Sequence, residues 1–164
     1  MKEILYQESY ISPIGSISLA ASDQALLGAW FEGQKYEKRG FEHAQFRSEK
    51  QAILEASRHW LDAYFSGEEL PSLPPLDPRG TPFQKRVWQE LLKIPSGQTS
   101  TYGQLAKTIH CNSAQAIGGA IGKNPISIFI PCHRILGTDG SLTGYAGGLE
   151  RKSWLLEHEV EMRK

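Results

Sequence analysis

The stretch Ile130-Pro131-Cys132-His133-Arg134-Ile135 sets a thiol between a proline and a histidine at the end of an apolar run. A cysteine in such a place is a small buried hydrophobe, a metal ligand or a nucleophile. The run before it opens on the turn signal Asn124-Pro125 and closes on Pro131, so it is too short for an amphipathic helix and too proline-bounded for a central strand. It is expected to lie buried and extended, with Cys132 presented at its end. His133 and Arg134 are expected to place positive potential near the sulfur, favouring thiolate over the thiol that an ordinary pKa of about 8.5 maintains at neutral pH. Direct proton exchange between neighbours Cys132 and His133 is sterically awkward. A bridging water is therefore expected, with a carboxylate to orient the imidazole, as in nucleophile, base and orienter sets on other folds. That acid is sought in the helix-periodic run from Glu150, where Trp154, Leu155 and His158 turn toward a core. Periodicity does not select between Glu157 and Glu159.

Upstream of this stretch the chain reads as helices. Thr81 or Pro82 begins one whose apolar stripe is Phe83, Val87, Trp88, Leu91 and Leu92, ending before Pro95 and Gly97. Ser100 or Thr101 caps a second through Tyr102, Leu105, Ala106 and Ile109. His110-Cys111-Asn112 breaks it, and Ser113 caps a third over Ala114–Ile121. Two short helices over about residues 101–121, joined by a tight turn, form a helix-turn-helix pattern, whose second helix enters a DNA groove in proteins that use it so. That helix offers Gln115 and the small residues Ala116, Gly118, Gly119 and Ala120. Such a face lets a nucleic-acid backbone approach, and it equally suits helix packing. Cys111, inside the break, reads as structural.

The N-terminal part reads differently. Ile4–Ile11, Ser16–Ala20 and Ala25–Phe31 are β-prone runs bounded by Asp, Gly and Pro, and an antiparallel sheet is expected. From Ser48 to Phe65 apolar residues recur at helical spacing, with Gly67 as the stop, so one helix can cover the sheet. Ser66–Pro82 carries five prolines and two glycines and reads as a linker. The expected fold class is α+β: an N-terminal sheet-and-helix module over 1–78, with its Pro-rich linker from 66, and a mostly helical, winged-helix-like C-terminal domain over 79–164. At 164 residues, 40% hydrophobic and 22% charged, the chain can bury a real core in either module.

Charge is unevenly spread. Residues 1–78 hold 7 Lys+Arg against 12 Asp+Glu (net −5), 79–134 hold 7 against 1 (net +6), and 135–164 hold 4 against 5 (net −1). A polyanion is therefore attracted to the block that contains Cys132, although the whole chain sums to zero. No run approaches the ~20 apolar residues of a membrane span. Two cysteines without a CxxC support neither a disulfide framework nor a metal knuckle, and a cytoplasmic protein with reduced thiols is expected.

The chain resembles the O6-alkylguanine-DNA alkyltransferases, the methylated-DNA–protein-cysteine methyltransferase family. The resemblance rests on Gly80-Thr81-Pro82-Phe83-Gln84, Val87-Trp88, Ile94-Pro95-Ser96-Gly97, Thr101-Tyr102-Gly103-Gln104-Leu105-Ala106, Ala116-Ile117-Gly118-Gly119-Ala120, Asn124-Pro125, Ile130-Pro131-Cys132-His133-Arg134 and Leu142-Thr143-Gly144-Tyr145-Ala146-Gly147-Gly148-Leu149, and runs on to Glu159. It implies direct reversal of DNA alkylation. A damaged guanine is turned out of the duplex, and Cys132 takes the alkyl group from O6 and keeps it as a thioether; O4-alkylthymine is a further lesion of this class. It implies His133 as the water-linked base, Glu159 as its orienter, Asn124 as support of the active-site turn, and Tyr102 as the group that protonates or stabilises the leaving guanine. Tyr145 with Ala146 is implied at the base pocket, and Gln115, Ala116, Gly119 and Arg134 on the DNA side. No cofactor is implied, since the protein supplies the acceptor. Residues 1–78 hold no cluster of cysteine and histidine, so zinc is not expected. The partner is double-stranded DNA carrying O6-alkylguanine, bound by a monomer. One departure concerns the second helix, where the family places an arginine that enters the duplex and this chain has Gln115, which lacks arginine's fixed charged fork. Three other classes compete with this reading: a non-catalytic binder of alkylated DNA, for which Cys132 is superfluous; a winged-helix regulator, which would read sequence instead of damage; and a cysteine hydrolase, for which no oxyanion site is signalled.

Overall fold

The computed structural model describes residues 3–162. They form two compact units. One comprises the described residues up to Arg79 together with Pro125–Phe129, the other Gly80–Asn124 and the described residues from Ile130 onward. The chain thus leaves the second unit for five residues and returns just before the cysteine.

In the first unit β1 (Ile4–Ser12), β2 (Gly15–Ala21) and β3 (Leu26–Phe31) make an antiparallel meander. A fourth strand, β4 (Gln45–Arg47), pairs in parallel with β1, giving the order β3-β2-β1-β4. The expected antiparallel sheet is therefore mixed, because a three-residue strand carries too little alternation to be read from sequence. β3 ends the sheet order and yet is buried throughout. Its outer edge is covered: Leu26 exchanges backbone hydrogen bonds with Pro75 and Asp77, and Ala29 with Pro125 and Ser127, all at 2.8–2.9 Å. Covering the edge satisfies its polar groups and removes a template for aggregation. The proline-rich linker therefore has a structural task.

Helix α1 (Ala52–Ser66) starts four residues later than residue 48, behind its cap Gln51, whose side chain accepts from the Leu54 amide; Gly67, left-handed at φ 74°, ends it. Leu5, Ala20, Leu27, Trp30 and Phe41 form an apolar cluster on the sheet, and Trp60 stacks on Tyr64 and tilts against Phe129.

In the second unit α2 (Pro82–Leu91) starts on a full capping box, Thr81 with Gln84, and its Trp88 donates Nε1–H to the Ala120 carbonyl at 2.8 Å. The short strand β5 (Ser100–Thr101) leads into α3 (Tyr102–Thr108) and pairs in parallel with β6 (Ile135–Leu136). α4 (Ala114–Gly122) follows α3 after a tight reversal, and α5 (Leu149–Met162) closes the unit. At that reversal His110 takes φ 56°, the Cys111 amide bonds the Ala106 carbonyl and the His110 amide that of Lys107, which is the paired Schellman closure of a helix. Cys111 Sγ accepts from the Ser113 amide at 3.5 Å, so this thiol has a local structural part.

Gly28 gives the first unit a sharp test. An added Cβ there would lie 2.0 Å from Trp30 Cη2, because the indole folds flat over the glycine and is packed edge-on against Phe41. Gly28→Ala is expected to cost roughly 1–3 kcal/mol through overpacking, read as a lower denaturant midpoint at unchanged m-value.

Candidate active site

Cys132, His133 and Arg134 form one buried turn of 3₁₀-helix. The segment leading to it is buried as expected but not simply extended. The Phe129 amide bonds the Ser127 carbonyl across Ile128, whose φ is 72°, and the Cys132 amide bonds the Ile130 carbonyl across Pro131, at φ −82° and ψ 65°. Two three-residue turns therefore set the direction in which the thiol leaves the backbone. A positive φ at a β-branched residue is costly, and here neighbouring hydrogen bonds hold it. Asn124, buried at the end of α4, closes the loop by donating Nδ2–H to the Ile130 carbonyl at 2.9 Å.

The carboxylate that serves this turn is Glu159. Its Oε2 lies 2.6 Å from His133 Nε2, and Arg134 donates Nε–H to Oε1 at 2.7 Å and Nη2–H to Oε2 at 2.9 Å. His133 and Glu159 are both 0% exposed. Arg134, expected on the DNA side, is buried, and its guanidinium is spent on Glu159 and, through Nη1, on the Ile94 carbonyl at 2.6 Å. Burial alone would raise the Glu159 pKa, but the hydrogen bonds that His133 and Arg134 donate, with the charge of Arg134, outweigh it and hold the carboxyl far below its usual range.

An ionised carboxylate only accepts, so His133 Nε2 carries the hydrogen. Burial, helped by the charges of Arg134 and Lys152, pushes the His133 pKa down despite the opposing pull of Glu159, so the ring is neutral. Nδ1 is then the basic nitrogen. It is buried and makes no hydrogen bond to a protein group. The neighbouring thiol is pushed up by burial, with a side-chain hydrogen bond from Asn124 and the charge of Lys152 acting the other way. The expected sources of positive potential therefore need correction. His133 has its pKa pushed down, Arg134 is ion-paired with Glu159, and Lys152 is the residue whose charge pulls the thiol pKa down.

Lys152 was not singled out from the sequence, although a signal existed: Lys152, Leu155 and Glu159 fall at i, i+3 and i+7 and are the buried residues of α5. Trp154 and His158, expected toward a core, are half-buried and stack on each other with centroids 4.8 Å apart.

The other predicted residues divide into two groups. Tyr102 begins α3, and its hydroxyl lies 3.5 Å from where a Gly144 Cβ would be. Tyr145 follows Gly144, its ring centroid 6.4 Å from that of His133, and Ala146 beside it is half-buried. The Gly144-Tyr145 step thus brings the Tyr102 hydroxyl and the His133 ring to one loop. Gln115 and Gly119 are exposed on α4 and Ala116 is half-buried, with its amide bonded to the Ser113 cap at 3.0 Å. A Cβ added at Gly118 or Gly119 would meet no atom within 4 Å. Packing inside the free protein therefore does not require these glycines. A small-residue face with open space in front of it is suited to a backbone that approaches from outside.

Known proteins share this sequence and fold. Residues 82–161 match the family model described as 6-O-methylguanine DNA methyltransferase, DNA binding domain, and residues 5–78 match the model of its ribonuclease-like domain. The methylated-DNA–protein-cysteine methyltransferase of Haemophilus influenzae is 43% identical over 157 residues, covering 94% of this chain and 86% of its own. The crystal structure of the Mycobacterium tuberculosis O6-methylguanine methyltransferase superposes with a TM-score of 0.83 at 40% identity, over 96% of this chain and 94% of that one. The M. tuberculosis protein OGT in complex with DNA does so at 0.83 and 39%, over 97% and 94%.

The shared carboxylate predicts an acid-limb stability profile. A carboxyl whose folded pKa is depressed contributes stability that is complete above its unfolded value, about 4.3, and is lost as pH falls toward the folded one. Glu159→Gln leaves the Arg134 charge buried without its counter-ion. It is expected to lower stability by roughly 3 kcal/mol at neutral pH and to flatten the acid limb, measured as denaturant melts across the acid range.

Proposed function

The chain belongs to the methylated-DNA–protein-cysteine methyltransferase family, and from that premise we propose that it repairs alkylated DNA by moving the alkyl group of O6-alkylguanine onto Cys132 in a single turnover. The observation that carries this reading is the Glu159 bond to His133 Nε2, which leaves Nδ1 as a neutral, buried base beside a buried thiol. Through one water molecule Nδ1 takes the Cys132 proton. The sulfur forms a bond to the alkyl carbon, the carbon–O6 bond breaks with its electron pair going to guanine, and a proton from the Tyr102 hydroxyl neutralises the departing base. Tyr102 is reprotonated in turn, so the thiol proton is in effect exchanged for the alkyl group. A soft thiolate suits displacement at carbon, and a donor at the leaving group lowers the charge it must carry.

On the DNA side α4 would lie against the duplex, with its open glycine face toward the backbone and Gln115 at the entering end; the net +6 block supplies non-specific attraction. The target base is extruded into the pocket beside Tyr145. Among the described residues no helix is long and apolar enough to cross a membrane.

Duplex DNA containing O6-methylguanine is expected to add the mass of one methyl group to the peptide that carries Cys132 and to stop there. Repeated turnover with Cys132 unmodified, seen by peptide mass spectrometry, would overturn the proposal. Gln115→Arg supplies a charge and a rigid donor fork at the entering end of α4 and is expected to speed transfer from the duplex more than from free O6-benzylguanine, which needs no extrusion. Single-turnover rates on both substrates at low and high salt read this out. A gain equal for the two, or one that salt abolishes, would mean that position 115 acts only through surface charge.

A further inference from the structure

Gly80-Thr81-Pro82-Phe83-Gln84 and Val87-Trp88 carry part of the family resemblance, yet the alkyl-transfer chemistry leaves them without a part. Trp88, on α2, is 1% exposed. Its indole lies against Gly80, where a Cβ would stand 2.5 Å from Trp88 Cη2 and 2.6 Å from Gln84 Oε1, the oxygen that accepts from the Thr81 amide in the capping box. The start of α2 therefore fixes the indole, and the indole sends its Nε1–H to the Ala120 carbonyl at 2.8 Å. That carbonyl lies in the last turn of α4, where the helix ladder tightens. The Asn124 amide, the ordinary partner four residues on, bonds the Ile121 carbonyl instead at 3.2 Å, and the Lys123 amide reaches Ala120 only at 3.3 Å. Trp88 supplies the short bond. The apolar hold on α4 is thin: its buried residues are Ile117, Ala120 and Ile121, and Gly118, Gly119 and Gly122 face open space. α3 is held separately. Arg86, also on α2, donates Nη2–H to the Ile109 carbonyl at the end of α3 at 3.0 Å, and β5, which leads into α3, pairs with β6.

We propose that Trp88 is a positioning residue for duplex recognition: its indole N–H fixes α4 on α2, so that the open glycine face and Gln115 present one geometry to DNA. A stripe made of Ile117, Ala120 and Ile121 resists separation but not sliding or rotation, whereas a hydrogen bond to one carbonyl is directional. Gln115 lies ~7.5 Å along the helix axis from Ala120, so a small pivot at the bond is carried to the entering end. Tyr102, on α3, and Asn124, which keeps its own bond to the Ile130 carbonyl, do not depend on the Trp88 bond. Loss of the N–H is therefore a loss for the duplex and not for the free base. The proposal rests on the repair of alkylated duplex DNA for its rate measurement, and on duplex binding alone for its affinity measurement.

Trp88 is replaced by 3-benzothienylalanine, which keeps the two-ring shape and puts sulfur where the N–H stands, and by phenylalanine (W88F). Single-turnover transfer from methylated duplex is expected to slow by roughly fivefold or more relative to transfer from free O6-benzylguanine, the size that one lost hydrogen bond gives. Affinity for unmodified duplex is expected to fall by a similar factor. A Trp88 that serves stability alone moves the unfolding midpoint and leaves the rate ratio and the affinity of the folded protein at parental values, and that result overturns the proposal. If the parent takes no methyl group yet binds duplex, the alkyl-transfer reading fails while the affinity measurement still decides on Trp88. A parent that binds no duplex overturns both. Should neither variant fold, solvent exchange of the Trp88 indole proton is followed by NMR in the parent with and without unmodified duplex. A bond that favours the DNA-bound geometry is strengthened by DNA in turn, so slower exchange on binding is expected, and unchanged exchange overturns the proposal.

Discussion

The carboxylate of Glu159 is the constraint on which the site depends. Its two oxygens accept three hydrogen bonds from two consecutive residues of one turn, His133 and Arg134. Taking a carboxylate out of water costs several kcal/mol, so full burial is sustainable only when such partners are in place. The bonds therefore act in both directions. They keep Glu159 ionised, and Glu159 fixes the imidazole tautomer and the guanidinium that would otherwise compete for other acceptors. Arg134 extends the arrangement to the Ile94 carbonyl, so the turn that bears the cysteine is held from α5 on one side and from the chain after α2 on the other.

This arrangement explains how a thiol with a raised pKa can still react. A buried, protonated Cys132 is protected from indiscriminate electrophiles and oxidants, which attack thiolates. Ionisation then needs three things at one place: a base with a bare nitrogen, a hydrogen bond from Asn124, and a cation. The first comes through Glu159, and the charge of Lys152 pulls the thiol pKa in the same direction as the Asn124 bond. The direction of the sulfur is fixed separately, by the tight turns across Ile128 and Pro131 and by the Asn124 bond that closes them. Backbone geometry and electrostatics thus come from different residues.

Much of this was legible in the sequence because local signals and side-chain chemistry agree there. Thr81 and Gln84 announce their capping box, Ser113 its helix, and Gly67 its stop. The pairing of His133 with an acid followed from their chemistry, although choosing Glu159 over Glu157 needed the family resemblance. Three features were not legible, for different physical reasons. β4 is too short to show a period. The destination of the Pro125–Phe129 backbone, on the edge of β3, is a long-range pairing that no local pattern encodes. Arg134 and Lys152 were misread or passed over because exposed basic residues are the rule and buried ones depend on a partner that is remote in sequence. The distance from Arg134 to Glu159, 25 residues, hides such a partner.

The tautomer and charge of His133 test the central claim most directly. Imidazole-labelled protein, followed by NMR across the range in which an ordinary histidine titrates, about pH 5–8, reports which nitrogen carries hydrogen. The structure predicts hydrogen on Nε2, a bare Nδ1, and a protonation midpoint displaced below the ordinary value. Hydrogen on Nδ1, or a protonation midpoint near the ordinary value of about 6.5, would contradict it, because the ring could then not serve Cys132 as a neutral base.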